Sequence, residues 1–170
     1  AGEVLQSIVE QLEVLRHRPG DHSTMTTVRR AFHTLKGSSR MVGFKTIGEG
    51  AWGVEQCFNL WLAQERPATE DLINLAAGAQ RVIRHWVRTI AAHPDAVFDP
   101  DPLVQAAQRV REGGAFEYEG ELPSEVEAEA DLETAAEAVP SAPPAVDGEP
   151  EGVYEPLDHI EPGLPRTLIH

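Results

Sequence analysis

The stretch "RRAFHTLKGSSRMVGF", residues 29–44, decides the fold. Val28, Phe32, Leu35 and Val42 recur at helical spacing, which predicts an amphipathic helix with one apolar face. Gly37 interrupts that helix, where glycine costs about 1 kcal/mol relative to alanine. Four residues before it, on the same face, stands His33, with Lys36 beside the glycine. A helix that carries this cost gains a bare backbone patch next to an imidazole. Arg29, His33, Lys36, Gly37 and Arg40 fall at offsets 0, 4, 7, 8 and 11, one continuous basic stripe turned away from Phe32 and Leu35. Such a stripe suits an anionic group and the close approach of a partner's backbone. An ordinary solvated helix face with an incidental histidine leaves the glycine uncompensated.

Working outward, residues 1–18 place Val4, Leu5, Ile8, Val9, Leu12 and Leu15 on one face, and Pro19-Gly20 stops the helix. The helix that carries His33 is expected to begin at Ser23 or Thr24 and end at Met41, with Gly43 as its C-terminal cap. A third helix begins near Thr46, turns Ile47, Ala51, Val54, Phe58 and Trp61 inward, and ends before Pro67. Thr69 can cap a fourth, whose first turn carries Glu70 and Asp71 and whose apolar face runs from Leu72 to Ile90 before His93-Pro94 closes it. A short fifth helix fits residues 102–111. Without a strand pattern of useful length, the fold class is all-α, an up-down antiparallel four-helix bundle with the short fifth helix as an addition.

The short connection "VGFK" makes the second and third helices antiparallel neighbours. With the turn centred near residue 43.5, position n lies level with 87 − n, so His33 is level with residue 54 and adjacent to Glu55. A carboxylate there can accept a hydrogen bond from Nδ1–H of His33, which leaves Nε2 with a free lone pair as nucleophile. Lys36 can then neutralise a phosphoryl group on that nitrogen. The geometry is equally compatible with Glu55 as a plain surface charge.

The chain has 170 residues, one cysteine and a net charge of −14. Residues 1–111 carry 13 Lys and Arg against 12 Asp and Glu, a net +1, while residues 112–170 carry one Arg against 16 acids, a net −15. Eight of the 13 prolines also fall in the second part. High charge with few core-forming side chains cannot offset chain entropy. The expected organisation is a bundle over 1–111 followed by a disordered acidic Pro/Ala/Glu-rich linker over 112–170. Cys57 alone excludes an intrachain disulfide and reads as a small core residue. No apolar run is long enough to span a bilayer, and no signal segment opens the chain, so a cytoplasmic protein without a membrane partner is expected. The start at Ala1 and the linker-like end suggest a segment of something longer. Arg81, Arg84, His85 and Arg88 spread around one side of a helix in a nearly neutral core, and the acidic part repels phosphates, which argues against nucleic acid. His17 and His22 lack the company of a metal site, and no nucleotide loop or catalytic triad is present.

The motif "HTLKGSSRMVGF" resembles the signature of histidine-containing phosphotransfer (HPt) domains: His-x-x-Lys-Gly, a small polar helical stretch, and a glycine near the turn. The likeness covers about residues 1–110 and looks closest to domains of chemotaxis-type hybrid histidine kinases that control type IV pili and twitching motility. It implies that His33 is the phosphoacceptor, that Lys36 supports the phosphoryl group, and that Gly37, flanked by Arg29 and Arg40, admits a response-regulator receiver. Chemotaxis-kinase domains carry a glutamate 22 positions after the histidine, which Glu55 matches, and a second histidine three residues before it, where this chain has Trp52. The resemblance further implies a phosphocarrier that is not an enzyme by itself, part of a larger hybrid sensor kinase. Its partners would be a receiver domain and a kinase catalytic domain, and Mg²⁺ and ATP would be held by those domains, with no cofactor of its own. The rival reading is a phosphotransfer-inactive helical docking or dimerisation module with an acidic tether, and the intact His-x-x-Lys-Gly stripe favours the first.

Overall fold

The computed structural model describes residues 2–123. They form α1 (Gly2–His17), α2 (His22–Met41), α3 (Lys45–Ala63), α4 (Glu70–Ala92) and α5 (Asp101–Arg111). The start of α2 lies one or two residues earlier than periodicity suggests, because Asp21 caps it: its Oδ1 accepts from the Thr24 backbone N–H at 3.1 Å. That hydrogen bond, more than any other contact, holds the Asp21 carboxyl below its ordinary range. Gly43, at φ +87°, takes the left-handed conformation that lets the chain reverse into α3. Thr69 caps α4 by accepting from the Leu72 N–H at 3.3 Å, and Pro102 occupies the first turn of α5.

The helices bury most of the faces their spacing marks out, with two exceptions: Val9 lies at the edge of the α1 stripe and is exposed, and Val42 falls beyond the last turn of α2, at its C-cap, and is exposed as well. α2 packs on α1 and α3, and α4 packs on the same two, so α2 and α4 lie diagonally across a closed ring of four. Its centre holds Ile8, Met25, Phe32, Phe58, Trp61, Leu75 and Ile83, with the Phe32 and Phe58 rings stacked at 6.5 Å between centroids. Full burial of side chains of this size contributes about 1.5–3 kcal/mol each.

The fifth helix is part of that core. Leu103, Ala106, Ala107 and Val110 are buried against α3 and α4. Glycines on α3 admit it: a Cβ at Gly50 would lie 2.8 Å from Leu103 Cδ2, and one at Gly53 would lie 3.2 Å from Ala107 Cβ. Cys57 occupies the same seam, where its Sγ–H donates to the Ala107 carbonyl at 3.1 Å and burial pushes the thiol up to about 11. It is therefore protonated and inert at neutral pH.

The packed region continues past the boundary that charge suggested at residue 111. After the turn at Gly113 (φ +91°), the Phe116 N–H donates to Asp71 Oδ1 at 2.9 Å, and the ring fills the notch at Gly78, where a Cβ would stand 2.7 Å from Phe116 Cζ. Leu122 lines the same notch, and Arg109 reaches Glu117 Oε2 at 3.2 Å and Glu119 Oε1 at 3.4 Å. Phe116, Tyr118 and Leu122 pack against the core, which is why the first part of the acidic segment docks. The remainder of the expected linker lies outside the described residues. Among the described residues no helix is long and apolar enough to cross a membrane.

Candidate functional site

Phe32 and Leu35, both buried, set the rotation of α2 about its axis and so turn His33 outward, where 61% of its side chain is exposed. Val54 and Phe58 do the same for α3 and bring Glu55 to the α2–α3 seam, only 4% exposed. The two elements then place His33 Nδ1 2.7 Å from Glu55 Oε1, and Lys36 Nζ 2.7 Å from Glu55 Oε2. The Lys36 contact is a charge pair that lies outside good hydrogen-bond alignment.

Burial alone would raise the Glu55 carboxyl, but the contacts and charges of Lys36 and then His33 outweigh it, and the net position is below the ordinary 4.5. At neutral pH the group is thus an ionised, acceptor-only carboxylate. Nδ1 of His33 must therefore donate to it, and in the neutral ring the lone pair falls on Nε2, on the outward side.

Lys36 sits one turn beyond His33, with 18% of its side chain exposed. Gly37 differs from the other helix-interior glycines: Gly48, Gly50, Gly53 and Gly78 each make room for a neighbour, whereas a Cβ at Gly37 would meet nothing within 4 Å. No packing among the described residues requires it. Arg29 leans across to Asn59 Oδ1 at 3.5 Å, the outer limit of a hydrogen bond. The stem of Arg40 lies over Gly48, its Cγ 3.0 Å from where a Cβ would be. Both arginines thus brace against α3 on either side of the histidine.

Sequence spacing alone singled out Glu55 on α3 and overlooked the roles of Gly48 and Asn59. The signal was present, since Gly48, Trp52, Glu55 and Asn59 fall at offsets 0, 4, 7 and 11, the counterpart of the stripe on α2. His17 hydrogen-bonds Glu13 at 3.1 Å on its own helix. Among the described residues no group of three or more His, Cys, Asp or Glu side chains is placed to hold a metal ion.

The bundle thus displays a histidine on its outer surface, with the inner ring nitrogen tied to a buried carboxylate. The chain belongs to the Hpt domain family, whose sequence pattern matches residues 1–93, more than half its length. Members of that family are phosphocarriers that serve histidine phosphotransfer in phosphorelays and interact with response-regulator receivers and histidine kinases.

Matches to curated proteins are confined to a short segment. The chain is 84% identical over 25 residues to Esterase LipU of Mycobacterium tuberculosis (strain ATCC 25618 / H37Rv), covering 15% of this chain and 8% of that protein. It is 76% identical over 25 residues to Carboxylesterase/phospholipase LipF of the same strain, covering 15% and 7%. The chain thus spans less than a tenth of the length of these curated relatives. No solved structure matches.

Proposed function

We propose that His33 is the phosphoacceptor of this Hpt domain, and that it carries the group between a kinase or a receiver and a response-regulator aspartate. The observation that carries the reading is the 2.7 Å contact from His33 Nδ1 to a buried Glu55 on a ring that is otherwise exposed. The Nε2 lone pair attacks phosphorus, the N–P bond forms, and the bond from phosphorus to the donor's aspartyl or ADP oxygen breaks, with the electron pair leaving on that oxygen. Positive charge then spreads over a ring that keeps its Nδ1 proton, and the Glu55 carboxylate stabilises it. Lys36 meets the phosphoryl oxygens by turning from Glu55. Arg29, Gly37 and Arg40 form the surface on which the partner lands. Magnesium and nucleotide belong to the partner domains in this scheme.

On the finer question of setting, the His-x-x-Lys-Gly motif and the 22-residue spacing to Glu55 support a chemotaxis-type hybrid kinase of the kind that controls type IV pili, with Trp52 as a departure from that pattern. The reading is of a cytoplasmic protein, because the kinase step draws on cytoplasmic ATP. Incubation with a phosphorylated receiver or an active kinase domain is expected to give an acid-labile, base-stable label that His33→Gln abolishes. Label that persists in that variant on another residue overturns the assignment.

A further inference from the structure

The chain has three tryptophans, of which Trp61 and Trp86 are 2% and 5% exposed while Trp52 is 44% exposed. Trp52 is three residues before Glu55 on the α3 stripe, so its backbone lies about 4.5 Å along the helix axis from that of the residue that holds His33. On its other side the ring edges a groove of about 200 Å³ between α3 and α5, lined by Trp52, Gly53, Gln56, Val104, Gln108 and Arg111. The groove has a built floor, because the Gly50 and Gly53 seam holds α5 tight against α3.

We propose that this groove is the outer half of the receiver-docking face, with Trp52 as its apolar anchor and α5 as the flank that discriminates among receivers. The inference rests on the phosphotransfer reading of His33. Continuity is the first support: any receiver aspartate that reaches Nε2 of His33 brings the surface around it within reach of Trp52. Chemistry is the second. An exposed tryptophan supplies a large contact area at low entropic cost, and such residues concentrate at the energetic centres of interfaces. Charge is the third: Arg111 ends the groove on one side, and Arg29 and Arg40 flank the histidine on the other, a cationic rim for an occupant whose phosphorylated aspartate sits among acids. The family pattern matches residues 1–93, and α5, Asp101–Arg111, lies beyond that match, so Val104, Gln108 and Arg111 add a flank outside the matched segment.

The test uses the full chain and the receiver domain that the wild-type protein phosphorylates fastest in a panel. Wild type, Trp52→Ala, Trp52→Phe and Arg111→Glu are each loaded to the same phosphohistidine content with phosphoramidate, and transfer is followed against receiver concentration. Trp52→Ala is expected to raise the half-saturating receiver concentration about tenfold or more while the maximal rate changes less, a loss of the size seen when an interface anchor is truncated. Trp52→Phe should recover most of it. Arg111→Glu should raise it several-fold and weaken its dependence on salt. Wild-type concentration dependence in both Trp52→Ala and Arg111→Glu overturns the inference, and leaves the phosphotransfer reading intact so long as His33→Gln accepts no label. Two other results also overturn it: a wild-type dimer that Trp52→Ala converts to monomer, which makes the groove a self-association surface, or faster transfer in Trp52→Ala, which means that the chain's own segment occupied it.

Discussion

Glu55 serves the Lys36 ammonium and the His33 imidazole from one buried position, and its replacement separates their roles. Because its carboxyl sits below the ordinary 4.5 in the folded protein, its contribution to stability is fully present above about pH 4.5 and is lost as pH falls through the lower folded value. Denaturant unfolding between pH 3 and 7 should therefore show an acid limb that flattens in Glu55→Gln. At pH 7 that variant should lose about 1–3 kcal/mol, since Lys36 keeps a largely buried ammonium without its counter-charge. It should also slow transfer by on the order of tenfold or more, because an amide can donate to Nδ1 and move the lone pair inward. Gly37→Ala tests the opposite balance. A Cβ there meets nothing within 4 Å, so the bundle should gain up to about 1 kcal/mol from helix propensity alone. Transfer from a receiver should slow, since displacements on the order of an ångström at a reacting centre carry large rate penalties. A stability gain with unchanged transfer would instead favour the docking-module reading.

At the scale of helices, the same substitution changes sign with its neighbours. Gly50→Ala sets a methyl 2.8 Å from Leu103 Cδ2, a side chain with no exposed surface, so a loss of about 1–3 kcal/mol is expected in thermal or denaturant melts. The pairing of α2 with α3 was legible from sequence because so short a connection, three residues between Met41 and Lys45, leaves little freedom of register, which is how residue 55 came to be set beside residue 33. The first turn of α2 was less so. Asp21 acts through a side chain that folds back on the Thr24 N–H, which apolar spacing does not encode. The weight of α5 was also hidden. Two of its four buried residues are Ala106 and Ala107, whose small side chains give faint periodicity, and the α3 positions that face Leu103 and Ala107 are glycines, which give none. A seam of small residues on both sides is a strong packing device and a weak sequence signal.

Across the whole molecule, the docked stretch after α5 joins the start of the acidic segment to α4, the helix diagonal to the one that carries His33. Net charge hid it, because three apolar side chains among glutamates are enough to bind a prepared notch yet too few to alter composition. Phe116→Ala in the full chain should lower stability by about 1–2 kcal/mol in denaturant melts, the value of a half-buried aromatic side chain. Burial, and then the charge of Asp99, lift the Tyr118 phenol above its ordinary 10.0. The free chain would ionise before the docked one, so attachment weakens as pH rises past 10. The pair Gly113-Gly114 at the base of this stretch, the first of them left-handed, lets it peel off without disturbing a helix. The protein should then have two opening energies, a small one for this stretch and the global one for the bundle. In native-state hydrogen exchange, the Phe116 amide should lose protection at low denaturant while Phe32 and Phe58 hold theirs to the main transition. Among the described residues, a protease admitted to such openings would find its first cut near Ala115, and would separate the acidic end while the histidine stayed folded on the bundle.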